Sequence, residues 1–159
     1  MLTRIVVLVI FDFIGVGVAM YTWHIENMLT TFPGYQPACD ISGFASCSKV
    51  FKTPYAHILS HWGIVPPGHT LDWSLPQLAL VYFAVILLYP AVRRISPTAK
   101  QLYFGVGCLA VCFNLYLAAI LKFVVQEFCI LCVSNYVVNG VMFACLYKDL
   151  PKAKVSKAE

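Results

Sequence analysis

The sequence predicts an all-α membrane protein, a four-transmembrane-helix bundle with a lumenal cap loop that contains a short amphipathic helix. Three observations lead there. The chain's 159 residues are 60% hydrophobic and only 11% charged, well outside the composition of a soluble domain. Its apolar residues gather in four runs of about twenty residues, the length that crosses a hydrocarbon core of roughly 30 Å as a helix. Lysine and arginine fall mostly on one side of those runs once they are threaded through a bilayer. What lies outside the runs is too short to fold alone, so residues 1–159 read as a single integral membrane domain.

The first run, Ile5 to Ile25, is interrupted only by Asp12 near one end and His24 near the other. It lacks a small-x-small cleavage site and is longer than a signal-peptide core, so a retained helix is expected. A carboxyl within a span is costly, and the position of Asp12 on the cytosolic half predicts a bundle-facing or snorkelling structural role. His24 reads as a snorkelling residue at the helix end. Trp73 to Val92, Gln101 to Leu121 and Phe128 to Tyr147 carry no charge. Spans are therefore expected at about residues 5–25, 73–92, 101–123 and 128–147. Arg4, Arg93, Arg94, Lys100, Lys148, Lys152, Lys154 and Lys157 then share one side, against Lys49, Lys52 and Lys122 on the other. That bias places both termini in the cytosol and the loop 26–72 on the lumenal or extracellular side. The tail 148–159, ending "PKAKVSKAE", is polar and basic, and disorder is expected there.

In the long loop, "TTFPGYQPACD" is punctuated by Pro33, Gly34 and Pro37 and reads as irregular chain. A helical period begins at Cys47 with Val50 and Phe51, and continues after Pro54 with Tyr55, Ile58, Leu59 and Trp62. An amphipathic helix with aromatic residues on its apolar face suits the membrane interface. Either it covers a ligand site at the bundle mouth, or it is an ordinary interfacial helix.

Seven cysteines divide unequally. Cys108, Cys112 and Cys145 fall within predicted spans, where the first two, four residues apart, read as small packing residues. Cys39, Cys47, Cys129 and Cys132 fall on the non-cytosolic side, where disulfides persist and exchange. Zinc is one use for such a set, and His57 and His61 have a metal-like spacing. The oxidising compartment and the loose spacing of the first pair argue against it, and no metal is expected. Purely structural disulfides are another use. A bridge across two intervening residues constrains little of the unfolded chain, whereas a helix start stabilises a thiolate.

The C-x-x-C of "EFCILCVSNY" therefore points to electron relay. Cys132 lies three residues beyond Cys129, about 4.5 Å deeper along the helix. One sulfur stands near water and can exchange with a thiol of the loop. The other stands in the apolar phase and can attack something dissolved in lipid. A quinone or its epoxide is the two-electron partner that fits.

"MYTWHIE", "CDISGFASCSKVF", "NLYLAAILKFV" and "EFCILCVSNY" together resemble the vitamin K epoxide reductase family of membrane thiol oxidoreductases, in its animal-type four-span form. The resemblance covers nearly the whole chain and implies a mechanism. Cys132 attacks the quinone or epoxide, Cys129 resolves the adduct, Cys47 reduces the resulting disulfide, and Cys39 closes a bridge with Cys47. It further implies that Tyr136, one turn after Cys132, donates to a substrate oxygen and that Phe51 packs over the ring. Their plainer readings are an interfacial tyrosine and loop packing. The family places an amide, typically asparagine, at the start of helix two. Here an ungapped reading puts Leu75 there and a two-residue shift puts Gln77, and Gln77 is the expected substrate-binding residue.

No tightly bound cofactor is expected. The implied partners are the lipid bilayer, a vitamin K-type quinone or epoxide as substrate, and a lumenal thioredoxin-like or protein disulfide isomerase-like dithiol reductant, with no nucleic acid. The implied setting is the endoplasmic reticulum membrane, the implied role the vitamin K cycle that supports γ-carboxylation, and the implied inhibitors coumarin-type anticoagulants. An alternative makes the quinone the oxidant, so that disulfides are delivered to lumenal thioredoxin-like proteins. Another makes the chain a non-catalytic scaffold with architectural disulfides.

Overall fold

The computed structural model describes residues 2–41, 45–96 and 98–150, and within them the protein is all-helical. Most of the basic tail, with Lys152, Lys154 and Lys157, lies outside the described residues. Helix α1 runs over Leu2–Thr31. Its 30 residues extend about 45 Å, well past the expected 5–25. The added C-terminal turns have a packing reason: Ile25 and Leu29 join the buried cluster around the cysteines. Thr30 and Thr31 donate their hydroxyls to Asn27 O, and Pro33 lies just beyond, where the residue before proline leaves the helical region.

The connecting segment that follows forms three short turns instead of the single amphipathic helix expected. Helix α2 covers Cys47–Phe51, a 3-10 turn covers Pro54–Ala56, and α3 covers Ile58–His61. Pro54 supplies the break, because it has no N–H to continue the α2 ladder. Asp72 gathers this segment: Oδ1 accepts from the Ser60 N–H at 3.3 Å and Oδ2 from the Gly68 N–H at 3.4 Å. His57 lies between Glu26 and Asp72, 3.6 and 3.5 Å from their carboxylates.

The second apolar run begins at a capping box. Ser74 and Gln77 hold the N-terminus of α4, Leu75–Leu87, and α5 follows over Tyr89–Ile95. The two meet at a 42° bend where an unbroken span 73–92 was expected. Pro90 explains it: its ring lacks a donor for Ile86 O and crowds the preceding turn. Helix α6, Ala99–Ile120, passes into a π-helical turn over Leu121–Val125, and Gln126 then turns the chain with a φ of 56°. Helix α7 spans Ile130–Asp149. Among the described residues, three helices are long and apolar enough to cross a membrane, four if the bent pair is one span.

Helix α1 packs on both α4 and α7, and α6 packs on α7. Leu8, Ala19, Phe83, Ile86, Val138, Met142 and Leu146 form the main apolar core. Gly15 permits the α1–α4 approach, since a Cβ there would stand 2.4 Å from the Phe83 ring. Many other apolar side chains of these helices face outward, among them Phe13, Leu109, Leu115 and Val137, as lipid solvation requires. Asp12 is fully buried toward the bundle, with no hydrogen-bond partner among the described residues. At the end of the bundle away from Cys129 and Cys132, Arg93 reaches Asp149 at 2.7 Å and the Tyr89 hydroxyl donates to the same carboxylate.

Candidate active site

The local fold around "EFCILCVSNY" follows from the two cysteines. Cys129 is the N-cap of α7, with extended backbone, and its sulfur accepts the Cys132 N–H at 3.3 Å. Helix N-termini leave amide donors unpaired, so a sulfur in the capping position gains a donor and a favourable dipole. The cap also folds one side chain onto the other. The Cys129 and Cys132 sulfurs adjoin each other, 2.6 Å apart, a pairing that a disulfide between them requires.

The outer pair is built by a tight loop. Ile41 and Ala45 exchange both backbone hydrogen bonds, at 2.9 and 3.1 Å, and Asp40 Oδ1 accepts the Ser48 N–H at 3.0 Å. Burial works to raise the Asp40 carboxyl, but hydrogen bonds from Ser48, Cys47 and Ser46 outweigh it and hold the pKa below its ordinary value. Cys39 and Cys47 are joined in a disulfide with Cα atoms 5.9 Å apart.

Two tethers bring the pairs together. The N–H of Ser46, next to Cys47, donates to the carbonyl of Phe128, next to Cys129, at 3.1 Å. Lys49 reaches Glu127 at 2.5 Å. Cys39, Cys47, Cys129 and Cys132 consequently share one apolar cluster with Ile25, Val50, Phe51, Leu121 and Val125. Cys47 and Cys129 have no solvent exposure, while Cys39 keeps 7%. A cluster of this kind excludes water and allows one sulfur to hand a bond to the next.

A largely apolar chamber opens beneath the cluster, between the connecting segment and the helices. Cys132, Tyr136 and Phe51 all line it, as do Leu75 and Asn135. Cys129 does not, so the two inner sulfurs face different surroundings. Gln77 is absent from the chamber wall. Its Oε1 accepts the Ser74 N–H at 2.9 Å and the Ser74 hydroxyl at 3.3 Å, and Leu75 holds the position facing the cavity. Asn135 is a wall residue on the helix of Cys132 that sequence reasoning did not single out. The signal was available: three residues past Cys132, it lies on the same helical face. Of the other cysteines, Cys112 is exposed on the flank of α6 and Cys108 is half-buried. Neither adjoins the sulfur cluster.

Residues 6–147 match the family model described as "Vitamin K epoxide reductase family". Among curated relatives, the chain is 26% identical over 146 residues to the "Vitamin K epoxide reductase complex subunit 1" of Rattus norvegicus, covering 90% of this chain and 88% of that one. With the protein of the same name from Mus musculus the identity is 25% over 146 residues, at the same coverage.

Proposed function

The chain belongs to the vitamin K epoxide reductase family, and from that premise we propose that it reduces a membrane-dissolved quinone of the vitamin K type, and the quinone's epoxide, with electrons from protein thiols. The observation that carries this is the split between the inner sulfurs. Cys132 lines the apolar chamber, while Cys129 is sealed into the cluster that holds the outer pair.

Electrons run inward, from the outer pair to the inner pair and on to the substrate in the chamber. The Cys132 thiolate bonds to the quinone or epoxide, and the Cys129 sulfur displaces it and closes the Cys129–Cys132 disulfide. A quinone takes two electrons and two protons and leaves as hydroquinone. An epoxide takes the same two electrons and two protons and leaves as quinone plus one water. Cys47 then attacks the Cys129 sulfur, and Cys39 resolves the mixed bond, which restores the inner dithiol and oxidises the outer pair. An external dithiol protein of the thioredoxin type reduces the outer bridge from its more exposed Cys39 side. Tyr136 donates to the substrate oxygen, and Phe51 packs on the ring from above.

The bundle's polarity supports an orientation. Arg4 donates to the Lys148 carbonyl, and Arg93 and Arg94 lie in the last turn of α5, so these basic residues belong to the end away from the sulfurs. Under the positive-inside rule that end is cytosolic, the sulfurs face the lumen of the endoplasmic reticulum, and the protein serves the vitamin K cycle. The test uses the full chain in lipid nanodiscs with excess membrane-permeant dithiol. Hydroquinone formation together with epoxide consumption is expected, both lost in Cys132→Ser. Hydroquinone formation without epoxide turnover favours the disulfide-generating alternative. Turnover intact in Cys132→Ser contradicts the dithiol mechanism, and no turnover by the unaltered chain leaves the scaffold reading.

A further inference from the structure

A quinone is an awkward guest for an apolar chamber, because its carbonyl oxygens arrive stripped of water and need donors. Most polar side chains in or beside the chamber are already engaged or poorly placed to donate. The Thr22 hydroxyl donates to Val18 O and the Thr53 hydroxyl to Val50 O, each at 2.7 Å. Gln77 is engaged in the capping box, and Leu75, which faces the cavity at that level, has nothing to donate. Tyr55 belongs to the connecting segment and is not on the helix that carries Cys132.

Asn135 differs from all of these. It stands on α7 with Cys132, so its spacing to that sulfur is fixed by the helix. Its Oδ1 is buried and without a hydrogen-bond partner among the described residues, a costly condition in a low-dielectric interior. It also lines a second cavity, shared with Leu75, Leu117 and Asn139, and so forms part of the partition between two spaces. The Asn139 amide donates to Asn135 O at 3.0 Å, which steadies the turn from below.

We infer that Asn135 is the substrate-positioning amide of this chain, holding one oxygen of the quinone ring beside Cys132. The inference rests on the quinone-reductase reading and deepens it. An amide suits both ends of the reaction. Its N–H₂ donates to the quinone carbonyl, and its Oδ1 accepts from the hydroxyl that replaces the carbonyl after two electrons and two protons have arrived. Tyr136, the adjacent residue on α7, supplies a separate hydroxyl.

The experiment measures equilibrium binding of an isoprenoid 1,4-naphthoquinone to the full chain in nanodiscs, in a Cys132→Ser background where no turnover occurs. Asn135→Leu is expected to weaken binding about tenfold, and adding Leu75→Asn, which returns an amide to the chamber from α4, is expected to recover most of it. In the Cys132-containing chain, Asn135→Leu should raise KM more than it lowers kcat. Asn135→Ser is the second variant should the leucine chain fail to fold, with a smaller loss in the same direction. Binding indifferent to both substitutions, alongside normal quinone turnover by the unaltered chain, overturns the assignment and leaves the reductase standing. Binding weakened by Asn135→Leu in a chain that reduces no quinone leaves the contact standing and overturns the reductase. Absence of any quinone binding overturns both.

Discussion

At one end of the bundle Arg93 and Asp149 form a buried ion pair, whereas near Cys129 and Cys132 the buried Asn135 Oδ1 stands among apolar side chains with no hydrogen-bond partner among the described residues. Arg93 and Asp149 are 6% and 7% exposed and 2.7 Å apart, with the Tyr89 hydroxyl on the same carboxylate. Across the molecule, Cys47 and Cys129 sit in an apolar cluster with no exposure at all, and the Asn135 side-chain Oδ1 has no hydrogen-bond partner among the described residues. The first end is built to stay fixed: removing one partner of a buried pair strands the other charge. The second end is built to exchange bonds, and what is left unpaired there is what a substrate or a neighbouring sulfur can satisfy. Stability and reactivity are thus separated along the membrane normal, and substitutions at the two ends should move different observables.

The largest separation is expected from Cys132→Ala, which should lower quinone turnover at least about 1,000-fold while leaving thermal unfolding in detergent within about 1 kcal/mol of the unaltered chain. Comparable losses of fold and turnover would erase the distinction between the ends. Arg93→Ala should show the converse pattern. It should cost about 3–5 kcal/mol of stability, read by denaturation in mixed micelles, with turnover per folded molecule nearly unchanged. Tyr136→Phe comes next. Loss of one donor aimed at the reacting oxygen should lower kcat about 100-fold with folding intact, and an unchanged kcat would return Tyr136 to the role of an interfacial tyrosine.

Smaller effects test the tethers. Glu127→Gln removes a partly exposed ion pair with Lys49, which contributes at most about 1 kcal/mol. A slowing of only a few-fold is expected when a protein dithiol is the reductant, and none with a small permeant dithiol. The Asp40 brace should respond to acid. Its folded pKa lies below the ordinary 3.8, so its stabilisation is present above the unfolded value and disappears as pH falls through the lower folded one. Hydrogen exchange at the Ser48 amide should accelerate over that acid window and be flat above it. Acceleration confined to neutral pH would contradict the assignment of the brace to Asp40.

The same contrast shows what could be read from the chain before its structure. The apolar runs announced the helices, because hydrocarbon solvation demands uninterrupted apolar length, and the two cysteine spacings announced the paired sulfurs. The bend at Leu88 was written in Pro90 but masked by hydropathy, which does not distinguish a proline-broken run from a straight one. The Ser74-x-x-Gln77 spacing is a capping-box pattern, and reading it so would have assigned Gln77 to the helix end instead of the chamber. Asn135 was legible as a face-mate of Cys132, yet nothing in one sequence says that its side-chain Oδ1 lacks a partner among the described residues. The tether between Ser46 and Phe128 was not legible at all, since it joins backbone groups from distant segments that carry no side-chain signature.

The central claim is that the two cysteine pairs form one path, with Cys47 handing its bond to Cys129 while Cys132 faces the chamber. Its most direct test is disulfide mapping by mass spectrometry of the Cys39→Ser, Cys132→Ser double variant after mild oxidation in intact membranes. A Cys47–Cys129 crosslink as the dominant species is the predicted result. Cys47 and Cys129 both recovered as free thiols, or each joined to some other cysteine, would contradict it.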